Sequence, residues 1–214
     1  MHLKRTAMPR TWPLKRKGTK YAMRPKPGPH PINMSLPLAA VLKYLDLAST
    51  KKEAERIIYE SNVLVDGKVR KKTAFPVGFF DIVSLPKINA YWRTILVKGK
   101  LGFEQITKEK SHLKASKVIG KKILPGKKQQ INLYDGKNFI YDKEIKINDS
   151  VIINLSQNKI VKLLPLKENT LAIVIGGKHK GKEGKIIRVE DKTVELETSE
   201  GVMKVSSENI FAFE

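Results

Sequence analysis

Cysteine is absent from the 214-residue sequence, and this absence excludes two kinds of chemistry. Without thiols the chain can form neither disulfides nor thiolate metal sites. Histidine is scarce as well, and the four histidines are scattered through the sequence instead of being paired at the short spacing of zinc ligands. We therefore predict no metal site, no catalytic residues and no cofactor.

Long apolar runs are also missing. No stretch approaches the roughly 18 consecutive apolar residues that a transmembrane helix requires. The N-terminus carries lysines but lacks the apolar core and the small-residue cleavage site of a secretory signal. A cytoplasmic protein is therefore expected. A membrane is a weaker candidate partner than nucleic acid, because no long basic amphipathic helix with an aromatic face is visible.

Acidic residues are few and unevenly placed. The formal net charge is +21, and the first acidic side chain is Asp46. Residues 1–34 carry 9 basic and 0 acidic side chains, residues 35–88 carry 9 and 6, residues 89–166 carry 16 and 6, and residues 167–214 carry 8 and 9. Such an excess of positive charge attracts polyanions. It points to nucleic acid, least strongly for the nearly neutral C-terminal segment.

The first 34 residues, the N-terminal segment, have too little apolar surface to fold alone. Six prolines forbid a continuous helix or central strand: Pro9, Pro13, Pro25, Pro27, Pro29 and Pro31. Trp12 and Tyr21 are nevertheless interleaved among the basic residues. Aromatic rings can stack on unpaired bases while lysine and arginine bind phosphates. We interpret the segment as an extended arm, disordered in the free protein, that becomes ordered on RNA; the alternative is a flexible tail.

Residues 35–88 contain signals for two helices and a hairpin. The first helix is indicated by an apolar face with helical spacing, formed by Leu38, Val41, Leu42 and Leu45. Thr50 and Glu53 predict a reciprocal capping box at the start of the second helix. Asp66-Gly67, between two short apolar segments, predicts the two-residue turn of a hairpin. A further strand is expected over residues 81–85.

Basic side chains gather on this second helix and hairpin. They are Lys51, Lys52, Arg56, Lys68, Arg70, Lys71 and Lys72. A solvated helix face would account for the lysines of an ordinary protein. The order of capped helix, basic hairpin and closing strand, however, resembles the S4-type RNA-binding domain. The resemblance implies that structured RNA lies against the second helix and the hairpin.

Residues 89–166 have the pattern of several short strands. Residues 91–97 and 101–106 flank the turn Lys98-Gly99-Lys100, and residues 129–133 and 138–141 flank a second turn signal. Two more strands are predicted over residues 150–155 and 159–164, which together suggest a small barrel. We interpret the basic residues 108–122 as a surface loop or short helix. Lysines between these strands either reach a polyanion or are simply solvated.

A glycine-rich loop follows an apolar strand at residues 171–175. Taken as text, Gly176 to Lys182 matches the G-x-x-x-x-G-K of a phosphate-binding loop. The context differs, because Glu183 stands where a magnesium-binding Ser or Thr is required and a strand follows instead of a helix. The arrangement of strand, glycines, basic residues and strand resembles the KOW motif of RNA-associated proteins. We expect it on a small SH3-like barrel that presents Lys178, His179, Lys180 and Lys182.

The combination of these parts closely resembles the ribosomal protein S4e family of archaea and eukaryotes. Shared motifs include Trp12-Pro13, residues 17–21, residues 24–30, residues 34–37, residues 133–138 and the glycine-rich loop. The fold class expected is α+β and multidomain: a basic extended arm (1–34), an S4-type RNA-binding domain (35–88), a central small β-barrel (89–166) and a C-terminal KOW SH3-like β-barrel (167–214).

The resemblance implies a non-catalytic, structural component of the small ribosomal subunit. Its partners would be the small-subunit rRNA and neighbouring ribosomal proteins, with no membrane and no small-molecule substrate. Besides the basic residues named for the hairpin, second helix and glycine-rich loop, the RNA-binding candidates lie in the N-terminal segment: Lys4, Arg5, Arg10, Trp12, Lys15, Arg16, Lys17, Lys20, Tyr21, Arg24 and Lys26. Two alternatives are an RNA-modifying enzyme or synthetase appendage, and a free transcription or RNA-chaperone factor.

Overall fold

The computed structural model describes residues 3–60, 62–141, 144–190 and 192–213. Within them the helices are α1 (Leu38–Tyr44) and α2 (Lys51–Tyr59). The first nine strands are β1 (Leu3–Lys4), β2 (Tyr21–Ala22), β3 (Ser35–Pro37), β4 (Leu64–Val65), β5 (Lys68–Val69), β6 (Pro76–Gly78), β7 (Ile82–Leu85), β8 (Ala90–Val97) and β9 (Lys100–Gln105). The remaining strands are β10 (Leu113–Ile123), β11 (Gln129–Leu133), β12 (Asn138–Ile140), β13 (Ser150–Asn154), β14 (Lys159–Leu164), β15 (Leu171–Val174), β16 (Glu183–Val189), β17 (Thr193–Thr198), β18 (Gly201–Ser206) and β19 (Ile210–Ala212). The described chain is thus mostly β, with few helices.

Contacts between residues divide the chain into two compact units. Unit 1 comprises Met1–Ile95 and Lys100–Lys114, and unit 2 comprises Leu96–Gly99 and Ala115–Glu214. Unit 1 holds both helices and a sheet in the order β5-β4-β7-β8-β9, with the smaller pairs β1-β2 and β3-β6. Unit 2 holds two five-stranded sheets, in the orders β12-β11-β10-β13-β14 and β18-β17-β16-β15-β19.

Local signals place the helices of unit 1 correctly. The apolar face of α1 is buried, and Ala54 and Ile58 of α2 are buried with it. The predicted capping box is confirmed: the backbone N–H of Glu53 donates to Thr50 Oγ1 at 3.2 Å, and the backbone N–H of Thr50 donates to Glu53 Oε2 at 3.5 Å. This pair satisfies donors that the first turn of a helix otherwise leaves open.

The predicted hairpin is confirmed as well. Asp66 and Gly67 have φ angles of 52° and 72°, the left-handed backbone that the turn between β4 and β5 requires. The Asp66 carboxylate accepts the backbone N–H of Ile82 at 3.1 Å, which ties the turn to β7. The basic residues that follow are therefore held at one end of an ordered sheet.

Residues 3–34 form local structure of their own, which differs from the extended arm expected from the sequence. Strands β1 and β2 pair antiparallel, with Lys4 opposite Tyr21. Met8 and Trp12 are buried, and the Trp12 indole N–H donates to the Ile32 carbonyl at 3.2 Å. The few apolar side chains among the basic residues therefore form a small core with unit 1 instead of standing free.

A buried charge cluster joins the N-terminal segment to the sheet of unit 1. Asp81 accepts from His30 Nε2 at 2.9 Å, from Lys114 Nζ at 2.6 Å and from the backbone N–H of Gly78 at 2.8 Å. A Cβ at Gly78 would lie 2.1 Å from the His30 ring, so glycine is required there. The second carboxylate of the cluster is Asp66, which accepts from Lys114 Nζ at 2.5 Å.

The interpretation of residues 108–122 as a surface loop or short helix is wrong for most of that stretch. Residues 113–123 form β10, the middle strand of the first sheet of unit 2. Lys114 and Lys117 are 1% and 2% exposed. Composition failed here because a lysine can be buried where several oxygens accept its protons, and these oxygens come from residues distant in sequence.

Candidate nucleic-acid interface

The basic hairpin end and the N-terminal segment meet in one pocket of unit 1. The pocket measures about 530 Å³ and is lined by Lys26, Arg70, Lys71 and Lys72 together with Pro27, Val69, Phe75 and Pro76. The backbone N–H of Lys26 donates to the Ala74 carbonyl at 2.8 Å, which fixes the segment beside the hairpin. Four candidate cations that are up to 46 residues apart in sequence are thus brought together.

Arg70 is positioned by an aromatic ring in this pocket. Its guanidinium carbon lies 4.3 Å from the centre of the Phe75 ring, and the side chain is half-buried. Such stacking orients a guanidinium, whose planar fork of donors matches a phosphate. Lys68, Lys71 and Lys72 are exposed around it. Together they can bind the backbone of a polyanion.

The candidate cations of α2 lie on the exposed face of the helix. Lys51 is 3.4 Å from Glu55 and Arg56 is 3.1 Å from Glu60, both pairs spaced one helical turn apart, and Lys52 is also exposed. Exposed pairs of this kind contribute about 0–1 kcal/mol. A phosphate can therefore replace the carboxylate at little cost.

The candidates in the N-terminal segment divide into exposed and engaged side chains. The exposed ones are Lys4, Arg10, Lys15, Arg16, Lys17, Lys20, Tyr21, Arg24 and Lys26. Arg16 nevertheless donates to the carbonyls of Thr6 and Met8 at 2.7 and 3.0 Å, and half-buried Arg5 donates to the Lys17 carbonyl at 3.3 Å. These two arginines therefore also hold the segment together.

Trp12 and Tyr21 have different environments. Trp12 is only 2% exposed, so its ring is part of the core of unit 1 and is not presented to a base, contrary to the stacking role expected from the sequence. Burying a large aromatic ring stabilises the fold more than leaving it in water does, and the Ile32 carbonyl accepts the indole N–H. Tyr21 is 47% exposed and is the aromatic ring of this pair that a partner can reach.

In unit 2 the glycine-rich loop joins β15 to β16 as a tight, basic loop. Gly177 and Gly181 have φ angles of 78° and 85°, and the backbone N–H of Gly181 donates to the Val174 carbonyl at 2.7 Å. A Cβ at Gly181 would lie 2.7 Å from the backbone nitrogen of Gly99, so only glycine allows this close approach. Strand β16 follows the loop, as predicted from the sequence. The match to a phosphate-binding loop therefore lacks the helix that such a loop precedes.

The side chains of this loop line a pocket of about 520 Å³. Lys178, His179, Lys180 and Lys182 are joined there by Lys98 from the β8–β9 turn. Lys182 is paired with Glu200, and this hydrogen bond lowers the pKa of the Glu200 carboxyl. Partial burial lowers the pKa of Lys180. The Glu200 carboxylate therefore occupies one of the ammonium groups that line the pocket.

Sequence reasoning missed two cations that line these surfaces. Lys98 lies about 80 residues from the glycine-rich loop in sequence, and only the basic composition of its turn hinted at a role. Lys43 lies on α1 and lines a pocket with Tyr21.

No helix of the described chain is long and apolar enough to cross a membrane. Its described residues also contain no group of three or more His, Cys, Asp or Glu that could hold a metal ion.

Comparison with known proteins places these surfaces in a family. A sequence 37% identical over 98% of this chain and 90% of its own length is the small ribosomal subunit protein eS4 of Methanosphaera stadtmanae. The chain belongs to the ribosomal S4e family. The eS4 proteins of Methanocella arvoryzae and Nanoarchaeum equitans are 37% and 39% identical, over 98% and 88% of the chain and 92% and 82% of their own lengths.

Family profiles match four stretches of the sequence. The RS4NT (NUC023) domain matches residues 1–33, the S4 domain residues 36–83, the Ribosomal family S4e profile residues 88–160 and the KOW motif residues 168–197. The S4 and KOW resemblances inferred from the residues are thus confirmed. S4e proteins are ribosomal structural proteins, so the alternative of an RNA-modifying enzyme is not retained.

A solved S4e structure supports the same conclusion at the level of fold. The 30S ribosomal protein S4e of Thermoplasma acidophilum superimposes with a TM-score of 0.73 at 29% identity, covering 84% of this chain and 95% of that chain.

Proposed function

We propose that this protein is a structural constituent of the small subunit of the cytoplasmic ribosome, where it binds small-subunit rRNA and contacts neighbouring ribosomal proteins. The observation that carries the proposal is the pocket where Lys26 of the N-terminal segment joins Arg70, Lys71 and Lys72 of the S4-type hairpin. Relatives that cover nearly the whole chain are small-subunit proteins, and the basic surfaces supply the charge that rRNA binding needs.

The proposed division of labour follows the segments read from the sequence. The N-terminal segment, S4-type module, central β-rich segment and KOW segment occupy residues 1–34, 35–88, 89–166 and 167–214. Exposed lysines and arginines of the first two bind phosphates, and Lys178, His179, Lys180 and Lys182 bind a further phosphate in the last. No catalytic step is required of any of them.

The proposal is tested with the full chain and a small-subunit rRNA transcript. Neutralising phosphate ligands lowers the slope of log affinity against log salt by about 0.7–0.9 for each phosphate-binding side chain removed. We expect Lys71→Ala/Lys72→Ala to reduce both the affinity and this slope. The matched control is Lys159→Ala/Lys167→Ala, which removes two exposed lysines outside the candidate surfaces. A wild-type affinity that does not change with salt would contradict the proposal.

Cell fractionation tests the ribosomal assignment separately. A stoichiometric subunit protein should sediment with small ribosomal subunits and remain there through a moderate salt wash. Recovery mainly in the ribosome-free fraction would favour a free RNA-binding factor instead.

A further inference from the structure

A second pocket of unit 1 lies at the exposed ring of Tyr21. It measures about 260 Å³, and its walls include Tyr21, Leu14 and Met23 of the N-terminal segment and the small side chains Ala39 and Ala40 of α1. Pockets for drug-sized ligands usually measure roughly 300–1,000 Å³. This one is smaller, and its size suits a single planar ring system.

The walls of the pocket are held by ordered backbone. Tyr21 pairs with Lys4 across the β1-β2 ladder, and buried Trp12 lines the pocket with its indole N–H bonded to Ile32. Ala39 is buried and Ala40 half-buried, so α1 offers methyl groups where larger side chains would fill the space. The pocket therefore exists before any partner arrives, which reduces the entropy lost on binding.

Charge around the pocket identifies the kind of occupant. Arg5, Lys43 and Lys51 also line it, and among the described lining residues none is acidic. Lys20 Nζ lies 5.5 Å from the centre of the Tyr21 ring. An apolar recess with an aromatic wall and cations beside it is complementary to a ring attached to a phosphate chain. An aliphatic side chain of a protein partner would pack on the apolar walls but would give the surrounding cations no anionic group to bind.

We infer that this pocket receives one unstacked base of the bound RNA, which packs on Tyr21 while Arg5, Lys43 and Lys51 bind the adjoining phosphates. Single-stranded bases are commonly recognised by stacking on aromatic side chains, and cations beside the ring hold the backbone. The inference rests on the proposed function, because it names what part of the RNA this surface takes. It also assigns to Tyr21 the stacking role that buried Trp12 lacks.

Two substitutions test the pocket without removing phosphate ligands. Tyr21→Ala removes the stacking ring and Ala40→Leu fills the recess with a good helix former. Each should weaken binding of a small-subunit rRNA transcript about 5- to 150-fold, since stacking of one base has roughly that effect. Neither should change the salt slope, whereas Lys43→Ala should reduce it. Tyr21→Phe keeps the ring and Ala40→Ser keeps the recess open, so these conservative variants should retain most of the affinity that Tyr21→Ala and Ala40→Leu lose.

Crosslinking identifies the occupant directly. With 4-thiouridine in the transcript, irradiation should attach RNA to a peptide containing Leu14, Tyr21 or Ala40, and Ala40→Leu should abolish that adduct. Thermal melting of each variant verifies that it is folded. Wild-type affinity in both Tyr21→Ala and Ala40→Leu, with no adduct, would overturn the inference and leave the proposed function standing. Failure of the wild type to bind rRNA would overturn both. An adduct from this pocket to a protein in the assembled subunit would also overturn the inference.

Discussion

Two buried lysines three residues apart on β10 are stabilised by different kinds of acceptor. In unit 1, Lys114 places its ammonium between two carboxylates, 2.5 Å from Asp66 and 2.6 Å from Asp81. In unit 2, Lys117 donates to three backbone carbonyls, those of Ser207, Glu208 and Ile210, at 2.7–2.9 Å. The Lys114 ammonium is neutralised by carboxylates in direct contact, whereas the hydrogen bonds of the Lys117 ammonium go to the dipoles of backbone carbonyls.

The cluster around Lys114 favours the charged form of the Asp81 carboxyl, whereas the site of Lys117 disfavours the charged form of that lysine. Burial by itself would raise the pKa of the Asp81 carboxyl, but the charges of Lys114 and His30 and their hydrogen bonds outweigh it and hold that pKa far below its usual range. Burial lowers the pKa of Lys117 to about 8, and the charge of Glu208 offsets only part of this effect. Carboxylates stabilise a buried ammonium; carbonyl dipoles do so incompletely.

The largest effect is expected from Lys114→Met. Removing this ammonium leaves Asp66 and Asp81 close together without their main counter-charge, and breaking a buried ion pair typically costs roughly 3–5 kcal/mol. Unfolding in urea, followed by the fluorescence of Trp12 and Trp92, reports on unit 1 because both tryptophans lie there.

The control for Lys114→Met is Lys100→Met, which removes an exposed lysine from a strand of the same unit, β9. A surface change of this kind should alter stability by no more than about 0.5 kcal/mol. Adding Asp81→Asn to Lys114→Met should recover part of the lost stability, since the uncompensated carboxylate is then gone. Equal stability of Lys114→Met and Lys100→Met would show that the charge cluster does not hold unit 1 together.

A smaller effect, confined to unit 2, is expected from alkaline pH. Between the folded pKa of about 8 and the ordinary value of 10.5, the unfolded chain binds more protons at Lys117 than the folded chain does. The free energy of unfolding should therefore increase with pH, by about 2 kcal/mol from pH 7 to 9.5. Far-UV circular dichroism during urea unfolding measures it.

The control for this pH dependence is Lys117→Met, in which the increase should disappear. The range ends at pH 9.5 because burial raises the pKa of Tyr134 above its usual 10, which makes unfolding easier at still higher pH. Unit 1 should instead lose stability in acid, because the lowered pKa of Asp81 gives a contribution that is complete above about pH 4 and decreases progressively as the pH falls below that value toward the folded pKa. A flat alkaline profile would mean that the three carbonyls solvate Lys117 as well as water does.

Local signals predicted much of the fold, and non-local partners account for the rest. The Thr50–Glu53 capping box and the Asp66-Gly67 turn each depend on residues within four positions of one another, so both were predicted from the sequence alone. Lys114 and Lys117 were misassigned because their acceptors lie 33 to 93 residues away. A strand that buries two lysines has no compositional signature.

The residues of the candidate site also divide into those with local sequence signals and those that depend on partners distant in sequence. The cations of the hairpin and the glycine-rich loop follow turn signals and were found from the sequence. Lys98 and Lys43 complete pockets that form only in the folded chain, and they were missed. Trp12 and Tyr21 look alike as aromatic residues among basic ones, and only folding makes one core and the other surface.

The smallest effect on stability is expected where a lysine pair is exposed. Glu200 is on the surface and pairs with Lys182 in the glycine-rich loop, so Glu200→Gln should leave the unfolding midpoint unchanged, unlike any change to the buried lysines. Its effect should appear in binding, because removing the carboxylate frees the Lys182 ammonium for a phosphate. We expect higher affinity for small-subunit rRNA at low salt, with the gain disappearing as salt screens the surface. Glu195→Gln, which breaks the surface pair with Lys204 away from the loop pocket, is the matched control. If both variants bind RNA with the same affinity, the Lys182 ammonium does not contact the RNA.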